Sequence, residues 1–415
     1  MPGQAPPIET CARCSGAVLL ALAALMSVSC GGAPGLPPEG AGAGVGPSPE
    51  GTSRLSRALL DRSLELGRGF ALNSQTPEGN FVYQYDFVKG AKVGAGEEVG
   101  QAGALWSLAF MHLEEPTQET ARAVMRGLDF FRRYSARTED GRRYVVYPGS
   151  GVGRTGAVAL LALALVEFLR ADRDIADRQA YERELDEYIR FLCFLRMPDG
   201  HFAESYDVKW AVPAGGRSPF CDGEALLLMV KAARYVGHAE LKALALQSAE
   251  QMYWDWFTRP VSEDPQSDDA KAFYQWGSMA FYEIYTSGWA GVERYAERAI
   301  QMAYSTIDQQ RLLAEERNAG GAFEGLAVAW ELARLAGRQD AMDKIGRAID
   351  TGLARLITWQ VGGPTPNDYL RAHPTTDRLA VGGVMSAPTD PVLRIDVTMH
   401  QMHATILARQ FIYRQ

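Results

Sequence analysis

Cysteine is scarce in this 415-residue chain, and most of it lies at the front. Cys11, Cys14 and Cys30 precede residue 31, which leaves only Cys193 and Cys221 for the rest. A disulfide-stapled scaffold and a cysteine-ligated zinc site are therefore excluded. Cys193 and Cys221 stand in apolar helical contexts, where each serves as a small buried hydrophobe or the two form a single bridge. Basic runs are also missing, and the net charge is −8, so nucleic acid and anionic lipid are not expected partners. Beyond residue 50 no stretch of about eighteen residues is free of charge and apolar enough to span a bilayer. Strand-like alternation is rare; RYVVYP at 143–148 is its best instance.

The first fifty residues read as an address. Arg13 precedes the apolar run 17–26, which ends in Ser27-Val28-Ser29-Cys30-Gly31. A short basic region, a short apolar stretch and small residues make residues 1–29 a secretory signal. Cys30 after small residues resembles the lipobox of bacterial lipoproteins, although Ser27 stands where such boxes usually carry Leu. The resemblance implies acylation at Cys30 and anchorage to a membrane of the cell envelope; the alternative is a plain secretory signal. Residues 30–52, rich in Gly and Pro, form a flexible tether.

From residue 53 to 415 apolar residues recur at helical spacing, broken alternately by long and short loops. Twelve helices are expected, at about 53–70, 97–113, 117–134, 153–170, 177–196, 221–236, 239–257, 270–286, 289–305, 321–336, 339–359 and 396–413. The even-numbered ones are apolar through their middles, as in Ala157–Phe168. The odd ones are charge-striped, as in YERELDEYIRFL at 181–192. Helices apolar all round are buried, and striped ones cover them. The fold class is therefore all-α: an (α/α)6 barrel of six hairpins, even helices inside, with the long loops 71–96, 197–220 and 360–395 on one rim. This resembles the toroid of six-hairpin glycosidases and terpene cyclases.

The loop FLRMPDGHFAESYD at 194–207 is similar to a turn that recurs in squalene cyclases and glycan-active relatives, and Pro77-Glu78-Gly79-Asn80-Phe81 repeats it. Pro, an acidic or amide side chain and Gly make such a turn for backbone reasons alone. The D-x-D-D acid of squalene cyclases is missing, as is the zinc set of protein prenyltransferases. GSGVGRTG at 149–156 lacks the lysine and the spacing of a phosphate loop. No metal or cofactor is expected.

Polar residues that helix packing does not require open the inner helices. Glu224 and Glu324 are the first choice for a catalytic pair, with Asp396 and His400 behind them. Asp396, His400 and His403 fall on one helical face, Asp396 orienting His400. Substrate contacts are assigned to Tyr85, Asp86, Arg154, Tyr206, Asp207, Asp222, Trp276 and Arg394. Aromatic faces beside carboxylates suit sugar rings, so the expected activity is that of a glycoside hydrolase-like enzyme of the envelope acting on a glycan. Two other readings stand beside it. One is a non-catalytic glycan- or protein-binding lipoprotein. The other is a uronate epimerase or polysaccharide lyase using Tyr206, His400 and Arg394. No motif encodes the glycan, its linkage or the oligomeric state.

Overall fold

The computed structural model describes residues 55–94, 96–171 and 175–414. The expected signal, the expected tether and Cys30 lie outside the described residues, as does the expected helix start at residue 53.

Twelve long helices carry the architecture. They are α1 (Arg57–Ser74), α2 (Glu98–Glu114), α3 (Gln118–Arg133), α4 (Thr155–Ala171), α5 (Arg178–Leu195), α6 (Pro219–Tyr235), α7 (Leu241–Tyr253), α8 (Asp268–Tyr285), α9 (Arg294–Tyr304), α10 (Gly320–Leu335), α11 (Gln339–Ile357) and α12 (Ile395–Phe411). Burial follows composition. In α4 every side chain from Thr155 to Leu169 is buried. In α3 burial recurs along one stripe through Ala123, Val124, Gly127, Leu128 and Phe131. The even helices pack in sequence, α2 on α4, α4 on α6, α6 on α8, α8 on α10 and α10 on α12, and α12 returns to α2. The inner ring is closed, and the odd helices lie against its outside. This is the expected (α/α)6 toroid.

Departures from the expected boundaries have local causes. Helix α1 is capped by the Ser56 hydroxyl, which accepts from the Leu59 N–H, and runs on to Ser74. Helix α9 begins only at Arg294, after a turn in which Gly291 takes φ +74°. Helix α7 passes into a π-turn, Trp254–Thr258, and a short helix, Arg259–Glu263.

The long loops contribute short strands: β1 (Gln84–Asp86), β2 (Ala91–Lys92), β3 (Ser135–Arg137), β4 (Arg143–Val145), β5 (Val152–Arg154), β6 (Ser205–Asp207), β7 (Val212–Ala214) and β8 (Val392–Arg394). Strand β1 pairs antiparallel with β8, so the first and last long loops meet. Strand β6 lies between β5 and β7. Strands β5 and β8 run directly into α4 and α12, which places these loops on the rim at the N-terminal ends of the inner helices.

Both Pro-x-Gly turns serve as clips. Gly79 and Gly200 sit at φ +102° and +98°. In the first loop the Phe81 N–H donates to Gln101 Oε1 at 2.8 Å, and Gln101 Nε2 donates back to the Phe81 carbonyl. In the second the Phe202 N–H donates to Asp222 Oδ1 at 2.7 Å. Each turn thus ties a loop to the first residues of an inner helix.

Candidate active site at the N-terminal end of the inner ring

Glycines in the first turns of the inner helices make room for the side chains of their neighbours. A Cβ on Gly156 would sit 2.6 Å from Glu224 Oε2, and one on Gly325 2.8 Å from the Tyr274 ring. Trp276 occupies the space beside Gly223, and Gln275 that beside Gly321. Small residues on one helix therefore let carboxylate, amide and aromatic groups of the next converge near the axis.

Glu324, on α10, is fully buried and holds two histidines of α12. Its Oε1 is 2.8 Å from His400 Nδ1, and its Oε2 is 3.5 Å from His403 Nδ1. Gln275, on α8, donates from Nε2 to Glu324 Oε2 at 3.2 Å and lies 3.0 Å from His400 Nδ1. Burial raises the Glu324 carboxyl, but the two histidines outweigh it and hold its pKa below the ordinary value. An ionised carboxylate cannot donate, so His400 Nδ1 carries the proton that joins them. His400 Nε2 is left free and titratable, on a side chain that remains 32% exposed. Burial lowers the His400 pKa, yet Glu324 and the more distant Asp396 and Glu224 raise it overall. His403, buried, is held below its ordinary value, burial being the largest cause.

Glu224, on α6, has no hydrogen-bond partner on its buried Oε2. Burial pushes its carboxyl up to about 8, with only the charge of His400 opposing. At neutral pH the end of the ring thus holds a neutral Glu224 carboxyl and, near it, His400 backed by the Glu324 carboxylate. Trp276 meets the His400 ring edge-on, with centroids 6.1 Å apart. Arg394 grips Asp396 at 3.1 and 2.5 Å, and its Nη2 donates to the Tyr83 hydroxyl at 3.3 Å. Arg154 faces Glu98 at 3.4 Å. Among the described residues no group of three or more His, Cys, Asp and Glu side chains is arranged to hold a metal ion.

The structure brings together Glu224, Glu324, His400 and Trp276, and it corrects several assigned roles. Glu324, not Asp396, orients His400; Asp396 is engaged by Arg394, two residues before it. Fully buried and bonded through both oxygens, Glu324 cannot also flank a substrate bond. Asp86 is buried and accepts from the Val88 and Lys89 N–H groups and from Lys89 Nζ, a loop-shaping role. Asp207 accepts from the Trp210 N–H and shapes the hairpin. The Tyr85 hydroxyl donates to Asp377. Tyr206 is buried among Tyr144, Phe191 and Phe194, away from any role as a base.

Asp222 belongs to a separate buried network that the sequence did not reveal. His201 stands between Asp222 at 2.6 Å and Asp255 at 2.9 Å, and Trp256 Nε1 donates to Asp222 at 2.7 Å. The π-turn after α7 presents Asp255 and Trp256 to it. Cys193 and Cys221 are unbonded. Gln275 was missed as well; its only sequence signal is its place one residue before Trp276 on an inner helix.

No family model matches the chain, and no curated protein sequence matches it. Solved structures do. A sugar epimerase from a ruminal bacterium has a TM-score of 0.59 at 11% identity, covering 85% of this chain and 98% of its own. Cellobiose 2-epimerase from Spirochaeta thermophila has a TM-score of 0.54 at 15% identity, with 84% and 96% covered. An inactive variant of an α-1,6-mannanase from Salegentibacter, in complex with α-1,6-mannotetrose, has a TM-score of 0.57 at 10% identity, with 84% and 99% covered. The chain therefore has the α/α-toroid fold of these carbohydrate-active enzymes. At such identities the likeness is one of fold.

Proposed function

We propose that this protein is a carbohydrate-active enzyme that moves protons at C1 and C2 of a reducing sugar, an epimerase or aldose–ketose isomerase. The observation that carries this reading is His400, with Nδ1 on the buried Glu324 carboxylate and Nε2 free. In the ring-opened sugar, Nε2 takes the C2 proton. The C–H electrons form the C1–C2 double bond, and the carbonyl oxygen accepts a proton from neutral Glu224. Once the enediol has turned its other face to His400, return of the proton to C2, with the O1 proton passing back to Glu224, gives the epimer; return to C1, with the O2 proton passing to Glu224, gives the ketose. Both outcomes balance without an oxidant.

The test is incubation with reducing mono- and disaccharides in D2O, read by NMR for deuterium at C1 or C2. Incorporation is expected, and His400→Asn should abolish it. The fold is shared with a mannanase, and the raised Glu224 also suits a general acid, so a hydrolase is the second reading. Absence of exchange together with new reducing ends released from a glycan would establish the hydrolase instead. Glycan binding without either reaction would leave a binding module.

The chain acts, in this proposal, at the cell envelope, exported by its N-terminal signal and lipid-anchored at Cys30. Cys30→Ala should shift it from the membrane fraction to the soluble one or block its maturation. A wild-type protein already soluble on fractionation would rule the anchor out.

A further inference from the structure

A hollow opens at the end of the inner ring away from the candidate site, where the even helices finish. It measures about 310 Å³, at the lower end of small-molecule sites. Its walls are largely aromatic, from Phe110, Tyr235, Tyr282 and Phe411, and Trp106 and His403 close it toward the axis. Lys231, Arg170, Glu114 and Glu283 also line it, and each is already engaged. Lys231 pairs with Glu167 and Glu283, Arg170 with Glu167, Glu283 with Arg234, and Glu114 with Arg409. No uncompensated charge is left to hold an ion, so the chemistry favours a neutral occupant.

Two polar atoms of the residues closing it are unsatisfied. His403 Nε2 and Trp106 Nε1 are buried without a hydrogen-bond partner. Since His403 Nδ1 faces the ionised Glu324, its Nε2 is a bare acceptor, whereas Trp106 Nε1 is a donor. Buried unpaired groups of this kind cost about 1–3 kcal/mol each. A hydroxyl both donates and accepts, and a pyranose adds apolar ring faces that suit aromatic walls.

We propose that this hollow is a second, non-catalytic site for a neutral pyranose, seated one helical turn below His400 and separated from it by Glu324, His403 and Trp106. The ligand class rests on the sugar reading of the catalytic end; the existence of a second site does not. Its occupant would act on catalysis through His403, because a donor to Nε2 locks the Nδ1–H tautomer that faces Glu324.

The probe is 1,5-anhydroglucitol, a pyranose without an anomeric oxygen, which neither ring-opens nor hydrolyses. Calorimetric titration of the full-length protein should show two molecules bound. Met279→Trp, which fills the hollow from α8, should leave one, and Gln410→Trp, at its outer lip, should do the same if the first variant folds poorly. The second Kd should rise by at least about tenfold in either variant. His400→Trp, which fills the catalytic end, should leave the other molecule in place. One molecule lost on Met279→Trp and Gln410→Trp but kept in His400→Trp would uphold the second site and count against sugar binding at the catalytic end. One molecule insensitive to Met279→Trp and Gln410→Trp, or no binding at all, would overturn the second site.

Discussion

His400 and Glu224 take opposite protonation roles because of what surrounds them. Glu324 backs His400 with a charge, whereas Glu224 has only apolar burial and a space left by Gly156. Activity should therefore rise with pH through a His400 pKa above the ordinary histidine value and turn down near pH 8, where Glu224 ionises. Glu324→Gln removes the charge that raises His400, so the acid limb should move to lower pH and kcat fall about 10²–10⁴-fold. Stability gives an independent check. The folded Glu224 keeps its proton from pH 4.5, its ordinary value, to about 8, while the unfolded chain has lost it. The Glu224 contribution is thus full below pH 4.5, declines as pH rises through that window and is lost above about 8. Melting curves of Glu224→Gln against the wild type should show this slope removed. An unchanged pH dependence would mean that Glu224 is not held neutral.

Pairs of inner helices are joined by charges as well as by apolar packing. Glu167 of α4 is fully buried, and Lys231 of α6 bridges it to Glu283 of α8. Removing one partner of a buried pair leaves a charge without compensation, and Arg170 is the remaining neighbour of Glu167. Lys231→Met should therefore destabilise the protein by about 3–5 kcal/mol, and Glu167→Gln made with it should recover much of that loss. Chemical denaturation of the two variants measures both. If the double variant is no more stable than the single one, the pair is not the source of the effect.

At the scale of the whole molecule, the ring closes only when α12 returns to α2, and α12 is also the element that carries His400 and His403. Helix α1 packs against α12, so the first and last elements of the described domain depend on each other. Heat unfolding should therefore be a single cooperative transition. Removal of residues 395–415 should expose the inner faces of α2 and α10 and abolish that transition rather than shift it. Calorimetry of the shortened chain decides the point, and a surviving sharp transition near the wild-type temperature would argue against interdependence around the ring.

The toroid was legible because hydrophobic periodicity is a local property. Ala157–Phe168 is apolar on every face and 181–192 on one, and that difference alone assigns inner and outer rings. Loop lengths pointed to the end of the ring where the candidate site lies, and the position of His400 on an inner helix was legible from spacing. Partners across the ring were not. Asp396 stands one turn from His400 in sequence, yet the carboxylate that reaches the imidazole is Glu324, 76 residues away. Gln275 joins them from a third helix, and His201 gains its two aspartates from separate elements. Asp86, Asp207 and Tyr206 resemble site residues in sequence, but they turn into loop and core contacts once the strands pair. Period and polarity determine which face of a helix is buried, since they act within a turn or two of chain. Which carboxylate meets which imidazole depends on how neighbouring helices seat their small residues against one another, and only the closed ring decides that.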